Sequence, residues 1–123
     1  MAVSFEDNRL TIDGSTVELE KPIKNLIERR DQVIVVFRYG AYDEDDLSGD
    51  RNVVAVDRNG AMLWRVAPSG SIASGGPGRT SQFVGVDIEN RDGEEVIVVY
   101  DGMGACYDLD PETGKLSNPV LTK

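Results

Sequence analysis

The 123-residue chain carries 22 acidic and 13 basic side chains, a net charge of −9, with 40% apolar residues; this fits one soluble domain able to bury its own core. Such a field repels phosphate backbones, which argues against nucleic acid as a partner, and no apolar run approaches the roughly 18 residues of a membrane span. Histidine is absent and Cys106 is the single cysteine, which excludes histidine-based catalysis, an internal disulfide and an ordinary zinc site.

The N-terminus, MAVSFEDNRL, has neither the basic nor the apolar stretch of a secretory signal. With one thiol, a reducing, cytoplasmic setting is expected. From there on, short alternating or β-branched runs dominate: 2–6, 9–13, 15–20, 33–39, 52–57, 61–66, 82–89, 95–101 and 105–110. Residues such as Val, Ile, Tyr and Trp suit a pleated, half-buried surface. The separators DN, DG, DRNG, NRDG, DGMG and DPETG supply the positive φ angles of tight hairpins. The expected fold is all-β, a single domain over 1–123. It has about nine mostly antiparallel strands in blade-like hairpins, forming a small sandwich or a strongly twisted open sheet, not a closed propeller.

Residues 21–31, KPIKNLIERRD, place Ile23, Leu26 and Ile27 at helical spacing. The run is short and leads directly into a strand, so a kinked strand or a single helical turn is preferred to a stable helix. Further on, Asp13, Asp57 and Asp101 recur every 44 residues, each at the end of a strand and before a tight turn. A period in the forties is the length of one propeller blade. The equivalence predicts positive φ at Gly60 and Gly104. It also predicts an inward-facing Trp64 with Val54, Val56, Val98 and Tyr100 nearby.

The hairpin NVVAVDRNGAMLWRV, through Ala55, Asp57, Gly60, Leu63 and Trp64, resembles pyrroloquinoline-quinone-type β-propeller repeats. ACYDLDPETGKL, through Leu109, Asp110, Thr113, Gly114 and Lys115, resembles the related form of the same repeat. The resemblance implies blade-like hairpins. A closed propeller needs at least about four blades, and this chain has room for fewer than three; no cofactor is expected.

The stretch AYDEDDLSGDRN, residues 41–52, packs five carboxylates into twelve positions. Asp46, Ser48 and Asp50 imitate the opening of a calcium loop, but Arg51 stands where that loop needs Gly and Asp57 where it needs Glu. No metal is expected there. The Gly-rich segment 70–80 lacks the lysine and the following helix of a phosphate loop, so it reads as a connection. Paired carboxylates alone do not make a glycosidase when the aromatic residues fall at core positions.

Tyr39 and Tyr42 flank Asp43, Glu44, Asp45, Asp46 and Asp50. Tyrosine supplies rigid contact area, and acids around it steer a basic partner. These seven residues are the expected partner-binding set. In size, charge, fold type and lack of catalytic equipment, the chain resembles immunity proteins of bacterial toxin systems such as contact-dependent growth inhibition. That resemblance implies a non-catalytic inhibitor and a basic partner, a cognate toxin or nuclease domain. The alternative is a structural or ligand-binding propeller fragment that pairs with a second copy through its strand edges or works in a larger assembly.

Overall fold

The computed structural model describes residues 1–38, 51–66, 83–102 and 104–121, the side chains of Pro119 and Leu121 excepted. Turn chemistry sets the frame. Asp7, Asp13, Arg30 and Asp92 each take φ near +50°, and Gly14 and Gly93 follow two of them at φ +87° and +85°. These are the backbone angles that join antiparallel strands with little intervening chain.

The first such meander is β1 (Val3–Glu6), β2 (Arg9–Ile12) and β3 (Ser15–Glu18), in the order β1-β2-β3. The second is β4 (Ile23–Arg29), β5 (Gln32–Phe37), β6 (Val53–Asp57) and β7 (Met62–Arg65), again neighbours in chain order. The third is β8 (Phe83–Arg91), β9 (Glu94–Asp101), β10 (Ala105–Leu109) and β11 (Leu116–Leu121), likewise. Among the described residues every pairing is antiparallel. The protein is all-β, and its sheets close into neither a barrel nor a propeller. Among the described residues no helix is long and apolar enough to cross a membrane.

The second sheet is the middle layer. Val33, Val35, Phe37, Val54 and Val56 pack with Leu10 and Ile12 of the first sheet. Ile34, Val36, Val53 and Ala55 pack with Phe83, Ile97, Val99, Tyr107 and Leu109 of the third. Strand β5 is therefore buried along its whole length, as a strand covered on both faces must be.

Of the two readings preferred for segment 21–31 the kinked strand is the one found, whereas strand β11 was not anticipated. Segment 21–31 contains β4, bulged between Ile23 and Asn25; the bulge disturbs strict alternation and imitates helical spacing. Strand β11 contains Pro119, which an edge strand tolerates because one side of its backbone needs no ladder bond.

The 44-residue equivalence holds for turn geometry and fails for topology. Gly60 and Gly104 have φ +84° and +91°, as expected. Yet Asp57 ends the third strand of its sheet and Asp101 the second strand of its own. The topological counterpart of Asp57 is Asp110, which follows β10. In both turns the aspartate carbonyl accepts from the residue three on, Gly60 N–H at Asp57 and Thr113 N–H at Asp110, and Asp110 accepts also from Gly114 N–H. The carboxylates of Asp57 and Asp110 accept from the N–H groups of Asn59 and Glu112, each two residues on.

The expected surroundings of Trp64 also change. Trp64 is half-buried and packs against the core cluster that contains Ile34, Val36, Val53 and Ala55, not the one that contains Val54 and Val56. The cause is a bulge in β7: Val56 pairs with Met62 but Ala55 pairs with Trp64, so Leu63 is the extra residue and Trp64 changes face. Val98 and Tyr100 pair across from Asp108 and Cys106, alternating with the core residues Ile97 and Val99, so they stand on the outer side of the third sheet.

Candidate functional site

Tyr39, Tyr42, Asp43, Glu44, Asp45, Asp46 and Asp50 all lie outside the described residues. What is described is the platform from which that segment departs and to which it returns. Arg38 follows β5, and Arg51 and Asn52 precede β6.

Asn52 is the centre of this platform, with none of its surface exposed. Its amide donates to the carbonyls of Phe37 (2.9 Å) and Phe83 (2.7 Å), and its Oδ1 accepts from Phe83 N–H (2.7 Å). One side chain thus ties the end of β5 to the start of β8 and joins the second sheet to the third. Its backbone carbonyl accepts from Phe37 N–H at 2.9 Å. Beside it, Arg51 Nε donates to the Val66 carbonyl at 2.8 Å, and Arg65 donates to the Arg51 carbonyl at 2.8 Å. Arg65 also pairs with Glu20. Burial lowers the pKa of Arg65 from its usual value. The described residues that flank the acidic segment are therefore fixed to a packed frame.

A cleft of about 580 Å³ opens at the same end, lined by Phe5, Ile23, Lys24, Arg38 and Val84. Phe5 comes from β1, Ile23 and Lys24 from β4, and Val84 from β8. Arg38 lies 3.6 Å from Asp7. Phe5 is 42% exposed, against 0% for its cross-strand partner Leu10, so the ring is left half-open to this cleft rather than enclosed in the core.

A second polar cluster lies on the outer side of the third sheet. Arg91 donates to Asp108 at 2.9 Å and to Glu89 at 2.9 and 3.0 Å, and Asn118 donates to Asp108 at 2.9 Å. Burial opposes charge on Asp108, but the bonds from Arg91 and Asn118 and the Arg91 charge outweigh it and hold the carboxyl below its ordinary value. Burial and the neighbouring acids Glu89 and Asp108 push the Cys106 thiol up, away from the thiolate form that reacts.

Asn52, Phe5, Lys24 and Val84 were not among the residues expected to matter. Asn52 carried a readable signal, a lone amide between an acidic segment and an unbroken apolar run. The other three carried none, because a cleft built from three separate sheets is not a local property of sequence.

No curated protein and no solved structure matches the chain. Residues 1–121 match the family described as "Domain of unknown function (DUF7957)", and the chain belongs to that family.

Proposed function

We propose that the protein is a non-catalytic, cytoplasmic binding module whose acidic segment 39–50 captures a basic protein in the manner of an immunity-type inhibitor. The observation that carries this reading is where the segment falls in the chain: twelve residues with five carboxylates between β5 and β6, the two central strands of the four-stranded middle sheet, next to Arg51 and Asn52, whose side chains are bonded to the frame. Charges of one sign raise the encounter rate with a basic surface. Tyr39 and Tyr42 add contact area within the same segment.

The test is affinity capture from the source cell with two baits, the wild-type chain and one carrying Asp43→Asn, Glu44→Gln, Asp45→Asn, Asp46→Asn and Asp50→Asn. A basic protein retained by the first bait alone, and released by salt, supports the proposal. Identical captures by the two baits overturn it.

A second reading, a propeller-type module that self-associates, is favoured by the way one sheet seats on the next. Val17 of β3 lies against Gly60, and Trp64 of β7 lies against Gly114. Concentration-dependent sedimentation that is unaffected by the neutralising substitutions selects this reading over the first.

A further inference from the structure

The three meanders can be aligned by how each seats on the next. Val17 of β3 meets the turn of Gly60, as Trp64 of β7 meets the turn of Gly114. Strand β3 therefore corresponds to β7 and to the last strand of the third sheet, β11. It follows that β2 corresponds to β6 and β10, and β1 to β5 and β9. Nothing among the described residues corresponds to β4 and β8, the first strands of the two four-stranded sheets.

The position that such a strand would take in the first sheet is the edge of β1, which pairs with β2 alone among the described residues. The Asp13 N–H bond to the Ala2 carbonyl sets the phase of the β1–β2 ladder. Ser4 and Glu6 then bond to β2, while Val3 and Phe5 turn their N–H and C=O groups outward. The cleft of about 580 Å³ lies at this edge, and its other walls come from β4 and β8, the two strands that hold the matching position in their own sheets.

We infer that the cleft is a strand-acceptor site: an extended segment of a partner protein, apolar at alternate positions and carrying a carboxylate, adds to β1 as the missing first strand. The backbone groups of Val3 and Phe5 would hold it, as in other cases of strand addition. Phe5, Ile23 and Val84 would cover its apolar side chains. Lys24 makes no ion pair among the described residues and would meet the carboxylate. Arg38, shared with Asp7, adds to the same charge. This site goes beyond the acidic-segment reading and is argued from none of residues 39–50.

The probe is a synthetic peptide with the sequence of residues 83–91, FVGVDIENR, an apolar and acidic strand that occupies the equivalent place in the third sheet. The control is the peptide of residues 23–29, IKNLIER, in which Lys24 and Arg29 outnumber the one carboxylate, Glu28, so that its side-chain charge is reversed. Titration into the isotope-labelled full chain should shift the Val3 and Phe5 amides and slow Phe5 amide exchange by about tenfold at saturation. The control should bind about threefold more weakly, and Lys24→Glu should invert that order. Val3→Pro removes an outward N–H that an edge strand can spare; it should abolish binding and leave the melting temperature close to wild type. The five neutralising substitutions in 43–50 should leave peptide binding unchanged, so this site and the acidic segment fail independently. Unmoved Val3 and Phe5 amides overturn the inference. So does a dimer that Val3→Pro dissociates, which would assign the edge to a second copy of the chain.

Discussion

The interface between the first and second sheets and the interface between the second and third are built differently. The first is almost wholly apolar: Leu10 and Ile12 against Val33, Val35, Val54 and Val56, with Val17 on the Gly60 turn. The second adds polar clasps at both ends, one buried and one partly buried. Asn52 ties Phe37 to Phe83 at one end. At the other, the Pro111 carbonyl accepts from Gln32 Nε2 (3.1 Å) and Trp64 Nε1 (2.8 Å). Tyr107 within that core donates to Asp101 Oδ2 at 3.0 Å. Apolar contacts tolerate small shifts, whereas a buried hydrogen bond tolerates few, since an unmet polar group loses its partner outright. The second interface is accordingly the one whose geometry is set by individual residues.

The largest effect should come from Asn52→Ala. It bares the Phe37 and Phe83 carbonyls and the Phe83 N–H together, at a cost of about 3 kcal/mol or more in urea-unfolding free energy. Next is the Trp64–Gly114 contact. A Cβ at Gly114 would stand 2.5 Å from Trp64 Cε3, on a residue at φ +79°, so Gly114→Ala should destabilise by about 2–3 kcal/mol. In a Trp64→Ala background the added cost should fall to the backbone part alone, about 1 kcal/mol, which a double-mutant cycle would read directly. Val17→Ala, the corresponding change at the apolar interface, should cost only about 1 kcal/mol, because Val17 is half-buried and its loss leaves no polar group unmet. Equal losses for Asn52→Ala and Val17→Ala would erase the distinction between the interfaces.

The smallest effect lies outside both interfaces. The carboxyl of Asp108 is held below its ordinary value, so its contribution is present above the unfolded aspartate pKa of about 3.9 and is lost as pH falls below it. The stability gap between wild type and Asp108→Asn should narrow as pH drops from 5 to 3, measured by denaturant midpoints. A gap that widens would mean that the bonds from Arg91 and Asn118 do not favour the charged form.

Much of the fold was legible because hairpin chemistry is local. The Asp-Gly and Asn-Gly turns and the runs between them located nine strands. Where legibility ended, a bulge or an edge was at work. The bulge in β7 moved Trp64 to the opposite face, and the bulge in β4 gave a strand the spacing of a helix. Pro119 disguised an edge strand. The 44-residue spacing was real as turn chemistry, yet it joined hairpins from different places in their sheets. The turns that do occupy the same place, those of Asp57 and Asp110, do not share that spacing. For the functional surface, the acidic density of 39–50 was plain from composition, whereas the cleft beside β1 depended on how separate sheets meet.

The burial of β5 and β6 on both faces bears on how faithfully the chain finds its pairing. An alternating strand resists sliding because a one-residue slip would turn its apolar side chains outward. The runs VIVVF and VVAV are apolar at every position, so hydrophobicity scarcely distinguishes one alignment from the next. What distinguishes them sits at the two ends of this pair of strands: Asn52 at one and Gln32, only 8% exposed, at the other. Each finds its partners in the Val33–Val56, Val35–Val54 alignment. The two amides thus act as registration marks during folding. A chain lacking both should populate slipped pairings that expose ladder edges to other molecules, and would aggregate on refolding even where its native contacts remain intact.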